Sequence, residues 1–318
     1  MWAARVHEYG PADGLRVEQV PEPEPGPGEV RIRQTHMGVN FADVYQRNGL
    51  YRGQHTYGTA LPFTLGLEGA GSIDAVGAGV ERLQVGDRVG YCLGAGGYAE
   101  AVCVAESKVV RLPDDCSNEV AATLMLQGAT SHYLSHSLFR LEAGHRCLVH
   151  AGAGGVGRLL IQIARARGAH VITTVGSEAK AEQVRALGAD AVILYRDEPV
   201  RERVMAWTDG EGVDVVYDSV GKDTIHTSIR CLRVRGTCVL FGASSGVVDA
   251  VTPMELAEAG SVFFTRPHLA HYRRNADEAQ WRADEIFGLY RAGQLQATVD
   301  HRFPLSEAVA AHQRLESR

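Results

Sequence analysis

The sequence predicts an α/β protein in which a compact β-rich N-terminal domain precedes a doubly wound parallel sheet. Three observations support this fold class. Residues 1–120 carry short apolar runs separated by glycine and proline. From about Ser117, helical patterns alternate with apolar strand patterns, an order that implies parallel strands with helices packed against the sheet. A glycine-rich stretch at 146–177 has the order strand, turn, helix, strand.

Four strand patterns predict the first domain: LRVEQV, EVRIRQT, GAGSIDAVGAGV and GDRVGYC. Residues 21–30, PEPEPGPGEV, form an extended connector, because proline has no N–H to donate within a sheet. Residues 38–49 predict one short helix, with Asn40 as its N-cap, Asp43 three residues later and Gly49 at its end.

The second half opens with a helical entry at 118–140, and the glycine-rich unit follows it. AKAEQVRALG then predicts a helix that stops at Gly188, and DAVILY predicts a strand. A helix near 198–208, the strand VDVVYDS, the helix KDTIHTSIRCL and the strand TCVLFGASSG come next. VFFTRP at 262–267 precedes a long amphipathic helix, and core packing is the preferred interpretation of its larger apolar side chains, Trp281, Ile286, Leu289 and Tyr290.

Composition narrows the functional classes. At 318 residues the chain has room for about two domains. A net charge of −6, without a long basic run, argues against a general nucleic-acid or anionic-membrane surface. The N-terminus lacks the apolar core of a signal peptide and no segment has the length of a membrane span, so we expect a cytoplasmic protein. The six cysteines show no C-x-x-C spacing and are expected to be free thiols: Cys92, Cys103, Cys116, Cys147, Cys231 and Cys238.

The glycine-rich stretch matches G-x-G-x-x-G at Gly152, Gly154 and Gly157. In such a motif the first glycine allows a sharp turn out of the strand, the second lets the backbone approach a pyrophosphate, and the third lets the helix pack closely. A helix beginning near Gly155 would hold the diphosphate with its free N–H groups. A plain strand-to-helix connection is the alternative, and the complete β-α-β context favours a dinucleotide.

An NAD site usually has Asp or Glu at the end of the second strand, where the carboxylate binds the ribose 2′-hydroxyl. Here VITTV runs into Gly176 and Ser177, so no carboxylate stands there to repel a 2′-phosphate. The sequence therefore predicts NADPH over NADH.

Five motifs in order resemble those of the NADPH:quinone oxidoreductases, the zeta-crystallin-like, zinc-free branch of the medium-chain dehydrogenase/reductase superfamily. They are GLEGAGSIDAVGAGVERLQVGDRV, HAGAGGVG, VVYDSVG, FGASSG and TRPHL. The resemblance implies a GroES-like catalytic domain at 1–122, completed by 265–318, and a Rossmann NADPH-binding domain at 123–264. It also implies an active site in the cleft between the domains.

The resemblance also bears on metal. Zinc-containing relatives have a Cys near position 40 and a G-H-E motif, whereas this chain has Asn40 and Gly66-Leu67-Glu68. Leucine cannot bind zinc, and the four closely spaced cysteines of a structural zinc lobe are missing around 90–105. We therefore expect no metal.

Asn40 and Tyr45, five residues apart on the predicted short helix, are the catalytic polar side chains that we expect to stabilise charge on the acceptor. The resemblance implies that Asn40 can also contact the nicotinamide ribose. Asn40 alternatively only caps its helix, and Tyr45 only packs. Lys180 and Tyr195 resemble phosphate-binding positions, with a solvated helix residue as the alternative for Lys180. Arg266 is either a substrate or cofactor contact or an ordinary salt-bridge residue. The full predicted cofactor set is Asn40, Thr130, Gly152, Ala153, Gly154, Gly155, Val156, Gly157, Gly176, Ser177, Lys180, Tyr195, Ser219, Phe241, Gly242 and Ser244.

The predicted reaction is NADPH-dependent reduction of quinones by hydride transfer without a metal. Reduction of enone or alkenal double bonds is a second possibility, because the superfamily uses one cofactor geometry for both. Non-catalytic NADPH binding, as in crystallin-like or RNA-binding relatives, is a third. A homodimer is expected, paired through an edge strand near Thr237 to Phe241.

Overall fold

The computed structural model describes residues 1–53 and 60–317. The chain divides into two compact units. The first comprises Met1–Ala129, Arg273–Gly288 and Ala297–Arg318, and the second comprises Thr130–Tyr272 and Leu289–Gln296. The domain limits predicted from the sequence, 122/123 and 264/265, stay predictions.

The first unit is built on two antiparallel sheets. A three-stranded sheet has the order β2-β1-β4 and a five-stranded sheet the order β7-β3-β5-β6-β8. The strands are β1 (Trp2–Val6), β2 (Leu15–Gln19), β3 (Glu29–Met37), β4 (Phe63–Thr64), β5 (Glu68–Val76), β6 (Arg88–Cys92), β7 (Ala101–Ala105) and β8 (Val109–Arg111). The four predicted strand patterns are confirmed in β2, β3, β5 and β6, although β5 ends at Val76 and leaves out GAGV at 77–80. Residues 21–28 run between strands as the prolines require, but Glu29 and Val30, predicted as part of the connector, already belong to β3.

The second unit has a six-stranded parallel sheet with the order β11-β10-β9-β12-β13-β14. Its strands are β9 (Arg146–Val149), β10 (His170–Val175), β11 (Ala191–Leu194), β12 (Val213–Asp218), β13 (Leu232–Leu240) and β14 (Phe263–Thr265). The chain leaves β9 toward β10 on one side and returns to β12 on the other, which puts the topological switch point beside β9. The predicted α/β fold class, a GroES-like β-rich part with a Rossmann doubly wound sheet, is confirmed.

The helices connect these strands. Their bounds are α1 (Phe41–Arg47), α2 (Asn118–His132), α3 (Gly155–Ala166), α4 (Glu178–Ala186), α5 (Val200–Trp207), α6 (Ile225–Arg230), α7 (Pro253–Glu258), α8 (Ala276–Arg291) and α9 (Ala308–Glu316). A π-helical segment, Tyr133–Leu138, continues directly from α2. Within the described residues, no helix is both long and apolar enough to span a membrane.

Burial follows the patterns from which the strands were predicted. Cys147, Leu148 and Val149 of β9 are completely buried, because a central parallel strand is covered on both faces. All six cysteines are free thiols.

Two predictions about the second half are wrong. Thr237–Val239 is not at the sheet edge, because β14 pairs with it in parallel from Thr237 to Val239 and takes the edge itself. Trp281 is 43% exposed and does not pack in a core. Its indole N–H donates to Glu285 at 2.8 Å, while Ile286 on the same helix is buried as predicted.

Candidate active site

The turn after β9 shows why glycine is required at position 152. A Cβ on Gly152 would stand 2.0 Å from the hydroxyl oxygen of Thr173, a buried residue of the neighbouring strand β10. The left-handed backbone angle of this turn falls on Ala151, with φ of 52°. Gly152 lies in this turn, and its missing side chain makes room for Thr173.

The next two glycines fit their predicted roles. A Cβ on Gly154 would meet only the Ala151 carbonyl oxygen, at 3.2 Å, so the space in front of this residue is open. A Cβ on Gly157 would lie 2.5 Å from that same oxygen, which shows how closely α3 packs onto the turn.

Helix α3 begins at Gly155 as predicted, with Gly154 at its N-cap. The first N–H to bond back into the helix belongs to Arg158, which donates to the Gly154 carbonyl at 2.9 Å. The N–H groups of Gly155, Val156 and Gly157 precede it and belong to the first turn, where α-helices leave donors free. Such a helix start attracts a phosphate group.

The carboxyl ends of β10 and β11 meet beside this loop. The backbone N–H of Tyr195 donates to the Val175 carbonyl at 3.2 Å, and a Cβ on Gly176 would lie 2.9 Å from the Tyr195 hydroxyl. Ser177 is the N-cap of α4, and Lys180 lies exposed in the first turn of that helix. The structure thus brings Gly176, Ser177, Lys180 and Tyr195 to one end of the two strands.

One carboxylate does lie nearby, on Glu178, and it forms an ion pair with Arg185 of the same helix. Because Glu178 is exposed and already paired, it does not replace the strand-end acid of an NAD site.

The ends of β12 and β13 hold a second predicted group. Phe241 donates its N–H to the Asp218 carbonyl at 2.8 Å, and Ser244 donates to the Ser219 carbonyl at 3.2 Å. A Cβ on Gly242 would stand 2.4 Å from the Ser219 carbonyl oxygen, so this contact requires glycine. These residues lie at the same carboxyl edge of the sheet as the glycine loop.

Two further predicted residues have ordinary surroundings. Thr130 is buried next to Ser131, whose hydroxyl donates to the Val156 carbonyl at 3.3 Å at the start of α3. Arg266 donates to the carbonyl of Pro267 at 3.1 Å.

A buried polar chain supports the glycine loop, and sequence reasoning missed it. Ser228 donates to the Asp218 carboxylate at 2.7 Å, so the His150 Nε2–H donates to the Ser228 oxygen at 3.0 Å. His150 Nδ1 then accepts from the hydroxyl of Thr174 at 3.1 Å, and that hydroxyl oxygen accepts the N–H of Ala151 at 3.2 Å. Burial lowers the pKa of His150, which agrees with this neutral tautomer.

The other predicted group lies on α1 in the first unit. Asn40 is the N-cap and Asp43 accepts the Asn40 backbone N–H at 2.7 Å, so the predicted helix start is confirmed. Tyr45 is 8% exposed, and its ring makes edge contacts with Phe41 and Tyr51 at centroid distances of 5.7 and 5.8 Å. The Tyr45 side chain therefore packs, which is the alternative that the sequence left open for it.

The Asn40 side chain is already engaged at both ends. Its Nδ2 donates to Glu68 Oε2 at 2.7 Å, and its Oδ1 accepts from Gln127 Nε2 at 3.1 Å. An amide NH₂ has two protons, so one donor position of Asn40 is not used by Glu68. Burial raises the pKa of Glu68 to about 8.

A second chain of buried groups connects α1 to α9. The Tyr98 hydroxyl donates to Asp43 at 3.0 Å, and His312 Nε2 lies 3.2 Å from that hydroxyl. Arg47 donates to His312 Nδ1 at 3.0 Å and also binds Glu316, at 2.7 Å. Burial lowers the pKa of His312 to about 4 and raises the pKa of Asp43 to about 7, so His312 is neutral and accepts from Arg47.

Sequence reasoning also overlooked an H-x-x-x-H spacing at His132 and His136. The two rings stack with their centroids 4.0 Å apart, and Ser135 Oγ lies 3.0 Å from His136 Nδ1. The π-helical segment after α2 places them one above the other, and the four-residue spacing itself was the signal that would have found them.

Comparison with known proteins identifies the family. The quinone oxidoreductase of Pseudomonas aeruginosa is 44% identical over 311 residues, which cover 98% of this chain and 94% of the relative. The chain belongs to the quinone oxidoreductase family. Two broader family models also match, the alcohol dehydrogenase GroES-like domain at 26–114 and the zinc-binding dehydrogenase at 155–284.

Other members of the quinone oxidoreductase family and its neighbours are similar along the whole chain. The 2-haloacrylate reductase of a Burkholderia species is 41% identical over 321 residues, covering 99% of this chain and 96% of that protein. The crystal structure of Escherichia coli quinone oxidoreductase complexed with NADPH matches with a TM-score of 0.96 at 37% identity, covering 100% of this chain and 97% of that one.

Zinc does not fit the residues at the two positions where zinc-containing relatives have ligands. Leu67 is 4% exposed and its side chain has no donor atom. Asn40 offers an amide that is held between Glu68 and Gln127. This member of the quinone oxidoreductase family therefore lacks the thiolate and imidazole that would hold the ion there.

Proposed function

We propose that this protein reduces quinones with hydride taken from NADPH, without a metal. The observation that carries the proposal is the glycine turn onto α3, with open space in front of Gly154 and first-turn N–H groups beside the switch point of a parallel sheet. The whole-chain similarity to quinone oxidoreductases supports the same function.

NADPH is the cofactor that the site residues favour. The strand β10 ends in Gly176 and Ser177 without a carboxylate, and Lys180 and Tyr195 are exposed at that end. A lysine and a phenol there supply a charge and a donor to a 2′-phosphate. The Escherichia coli relative whose structure contains NADPH supports this choice.

NADPH, when bound, supplies the hydride, and the residues of this chain orient it and stabilise charge on the acceptor. Quinone reduction adds one hydride and one proton and leaves a hydroquinone. The negative charge that develops on the acceptor oxygen is spread over the ring, so modest hydrogen-bond donors suffice. We assign that donation to the Tyr45 hydroxyl and to the Asn40 N–H that Glu68 does not use.

Reduction of activated C=C bonds is the second candidate. It is favoured by the 41% identity with a 2-haloacrylate reductase over nearly the whole chain. Hydride addition to the β-carbon of an enone or a haloacrylate also moves negative charge through the conjugated bonds onto the carbonyl or carboxylate oxygen, so the same two donors serve both reactions.

The test is NADPH oxidation measured against a panel of small quinones, enones, a 2-haloacrylate and simple alcohols. We expect turnover of quinones and none of alcohols. If the Tyr45 hydroxyl donates, Tyr45→Phe should lower kcat/KM by an amount that corresponds to about 1–3 kcal/mol of transition-state stabilisation. Its melting temperature should be unchanged. Asn40→Ala should lose a similar amount of transition-state stabilisation. It should also lower the free energy of unfolding by about 1 kcal/mol, because it removes the N-cap of α1.

Preference for enones over quinones would support the second candidate. NADPH binding without turnover of any acceptor would support a non-catalytic NADPH-binding protein. Parent-like quinone turnover in both folded variants would contradict the assignment of Asn40 and Tyr45.

We also propose a homodimer in a cytoplasmic location. Because β14 occupies the sheet edge, the pairing strand is Phe263–Thr265 in place of the one predicted near Thr237. Phe263 is 62% exposed on that strand. An exposed edge strand has backbone N–H and C=O groups that can hydrogen-bond to the same strand of a second copy. A monomer by light scattering at micromolar concentration would contradict the dimer.

A further inference from the structure

Ala151, at the start of the glycine loop, has a backbone conformation that alanine does not favour. Its φ is 52°, in the left-handed region that glycine adopts more readily than alanine does. The Ala151 carbonyl accepts the N–H of Gly154 at 2.9 Å, so the path of the loop up to α3 depends on this conformation. Other contacts in the fold therefore have to stabilise Ala151 there.

Thr174, near the carboxyl end of β10, supplies two of these contacts. Its hydroxyl oxygen accepts the N–H of Ala151 at 3.2 Å, and its backbone carbonyl accepts the N–H of Gly152 at 3.0 Å. One residue thus holds two successive N–H groups of the loop. The hydroxyl oxygen can accept from Ala151 only while its own proton points elsewhere, so the orientation of that proton matters.

His150 provides the acceptor for the Thr174 proton, and the bonds around it allow only this arrangement. The Asp218 carboxylate accepts from two backbone N–H groups of the loop after β12 and from the Ser228 hydroxyl at 2.7 Å. Because the Ser228 proton is used there, its oxygen accepts from His150 Nε2–H at 3.0 Å. Burial lowers the pKa of His150, so the neutral ring has a lone pair on Nδ1, 3.1 Å from the Thr174 hydroxyl.

Both ends of this hydrogen-bonded chain are fixed. A carboxylate accepts and a backbone N–H donates, so each proton between Asp218 and Ala151 has one position. The side chains between them are buried: His150 and Thr174 are each 2% exposed, and Ser228 is completely buried. Because bulk water does not reach the Thr174 hydroxyl, His150 decides where its proton points.

We propose that His150 is a positioning residue for the dinucleotide: it keeps the Thr174 oxygen available as an acceptor and so holds Ala151 left-handed, in the conformation in which the glycine loop receives a phosphate group. This inference rests on the proposed function, because it requires NADPH to bind at the loop. The loop is then ordered before NADPH arrives, which removes the entropy loss of ordering it from the binding step.

His150→Asn and His150→Leu are a matched pair, because asparagine and leucine have the same branched shape. The asparagine oxygen takes the place of Nδ1 and can accept the Thr174 proton, whereas leucine has no acceptor. Neither side chain extends as far as the Nε2 that bonds Ser228. By calorimetry we expect NADPH to bind about two- to tenfold more weakly to His150→Leu than to His150→Asn, since the hydrogen bond that holds Ala151 is weakened only in the former.

The free energy of unfolding should follow the opposite order. The asparagine leaves a buried NH₂ without the Ser228 partner, whereas the leucine buries no polar group. A residue with only a structural role would change affinity and stability in the same order. Adding Ala151→Gly to His150→Leu should bring the NADPH affinity back to within about twofold of the parent, because glycine adopts positive φ about as readily as negative φ.

Thr208→Val is the control for the loss of a buried hydroxyl. Thr208 is completely buried at the end of α5, at the opposite edge of the parallel sheet from the glycine loop. Like Thr174, it accepts a backbone N–H, from Gly212 at 2.9 Å. Thr208→Val should lower the free energy of unfolding and leave the affinity for NADPH unchanged.

Hydrogen exchange tests the same inference without NADPH. In protein with isotope-labelled alanine amides, the NMR signal of Ala151 is the one that is absent from Ala151→Gly. We expect the Ala151 N–H to exchange about two- to tenfold faster in His150→Leu than in the parent or in His150→Asn.

Equal NADPH affinities of folded His150→Asn and His150→Leu, or no gain from Ala151→Gly, would overturn the proposal. If the parent does not bind NADPH, the proposed function fails, and the exchange rates still decide whether His150 holds the loop: equal rates in the two variants would reject it. If His150→Leu does not fold, Thr174→Val replaces it, with Thr174→Ser as its conservative partner. Serine keeps the hydroxyl and should keep the parent affinity, whereas equal binding by the valine variant would overturn the proposal.

Discussion

Replacing Gly152 with alanine should destabilise the protein through one identifiable collision. The added methyl would stand 2.0 Å from Thr173 Oγ1 and 3.0 Å from Thr173 Cβ. Thr173 is completely buried, and its hydroxyl donates to the Val149 carbonyl at 2.6 Å, so the hydroxyl can move away only by breaking that bond. Overpacking costs ~1–3 kcal/mol and the lost hydrogen bond ~0.5–1.5 kcal/mol. We therefore expect a loss of ~1.5–4.5 kcal/mol in the free energy of unfolding.

Urea unfolding measures this loss, and two further variants make the cause specific. Thr173→Ala removes the colliding hydroxyl, so adding Gly152→Ala to it should cost ~1–3 kcal/mol less than adding it to the parent. Gly154→Ala is the matched control in the same turn, since its Cβ meets only the Ala151 carbonyl at 3.2 Å. That variant should lose no more than ~1 kcal/mol of stability, yet bind NADPH more weakly because its methyl enters the open space.

The reasoning would be refuted if Gly152→Ala and Gly154→Ala were equally stable. It would also be refuted if the costs of Gly152→Ala and Thr173→Ala simply added.

Three further predictions concern charge and metal. Burial raises the pKa of Glu68 from 4.5 to about 8, so the folded state holds this proton more tightly than the unfolded state does. The stability it contributes is complete below about pH 4.5 and is lost as pH rises through about 8, so urea unfolding of Glu68→Gln should show a smaller decline than the parent from pH 5 to 9. Lys180→Ala should weaken NADPH binding by ~1.5–3 kcal/mol and leave the affinity for NADH unchanged, as measured by calorimetry. Equal affinities of the parent protein for the two cofactors would contradict the NADPH assignment. Elemental analysis should find no stoichiometric zinc, and activity should survive a chelator, because Leu67 has no ligand atom; one tightly bound zinc per chain would reverse that conclusion.

The features predicted well from sequence are those fixed by near neighbours in the chain. The strand, turn and helix around Gly152 are encoded within about thirty residues, and the N-cap of α1 within four. The absence of an acid at Gly176 is likewise a local fact. Each of these depends on backbone geometry that adjacent residue types decide.

The features predicted wrongly or missed depend on distant partners. The strand β13 resembles an edge until the three residues of β14 are known to pair with it. The spacing of Trp281 and Ile286 predicts that both lie on the buried face of α8. In the structure the buried face includes Arg282, and the Trp281 indole is exposed to solvent. The buried contacts of Glu68 could not be predicted from the sequence, because its partners Asn40 and Leu126 lie 28 and 58 residues away.

Arg47 on α1 donates hydrogen bonds to His312 and Glu316 on α9, which follow it in the chain by 265 and 269 residues. The ribosome makes α1 about 265 residues before it makes the groups on α9 that fix this helix. The parallel sheet, by contrast, lies in one continuous stretch, 130–272, and has all its strands much sooner. Because domains fold as units while the chain is made, the glycine loop is completed before the helix with Asn40 and Tyr45 is fixed by α9. Ribosome-bound nascent chains that are stalled before α9 should therefore bind dinucleotide but show no turnover.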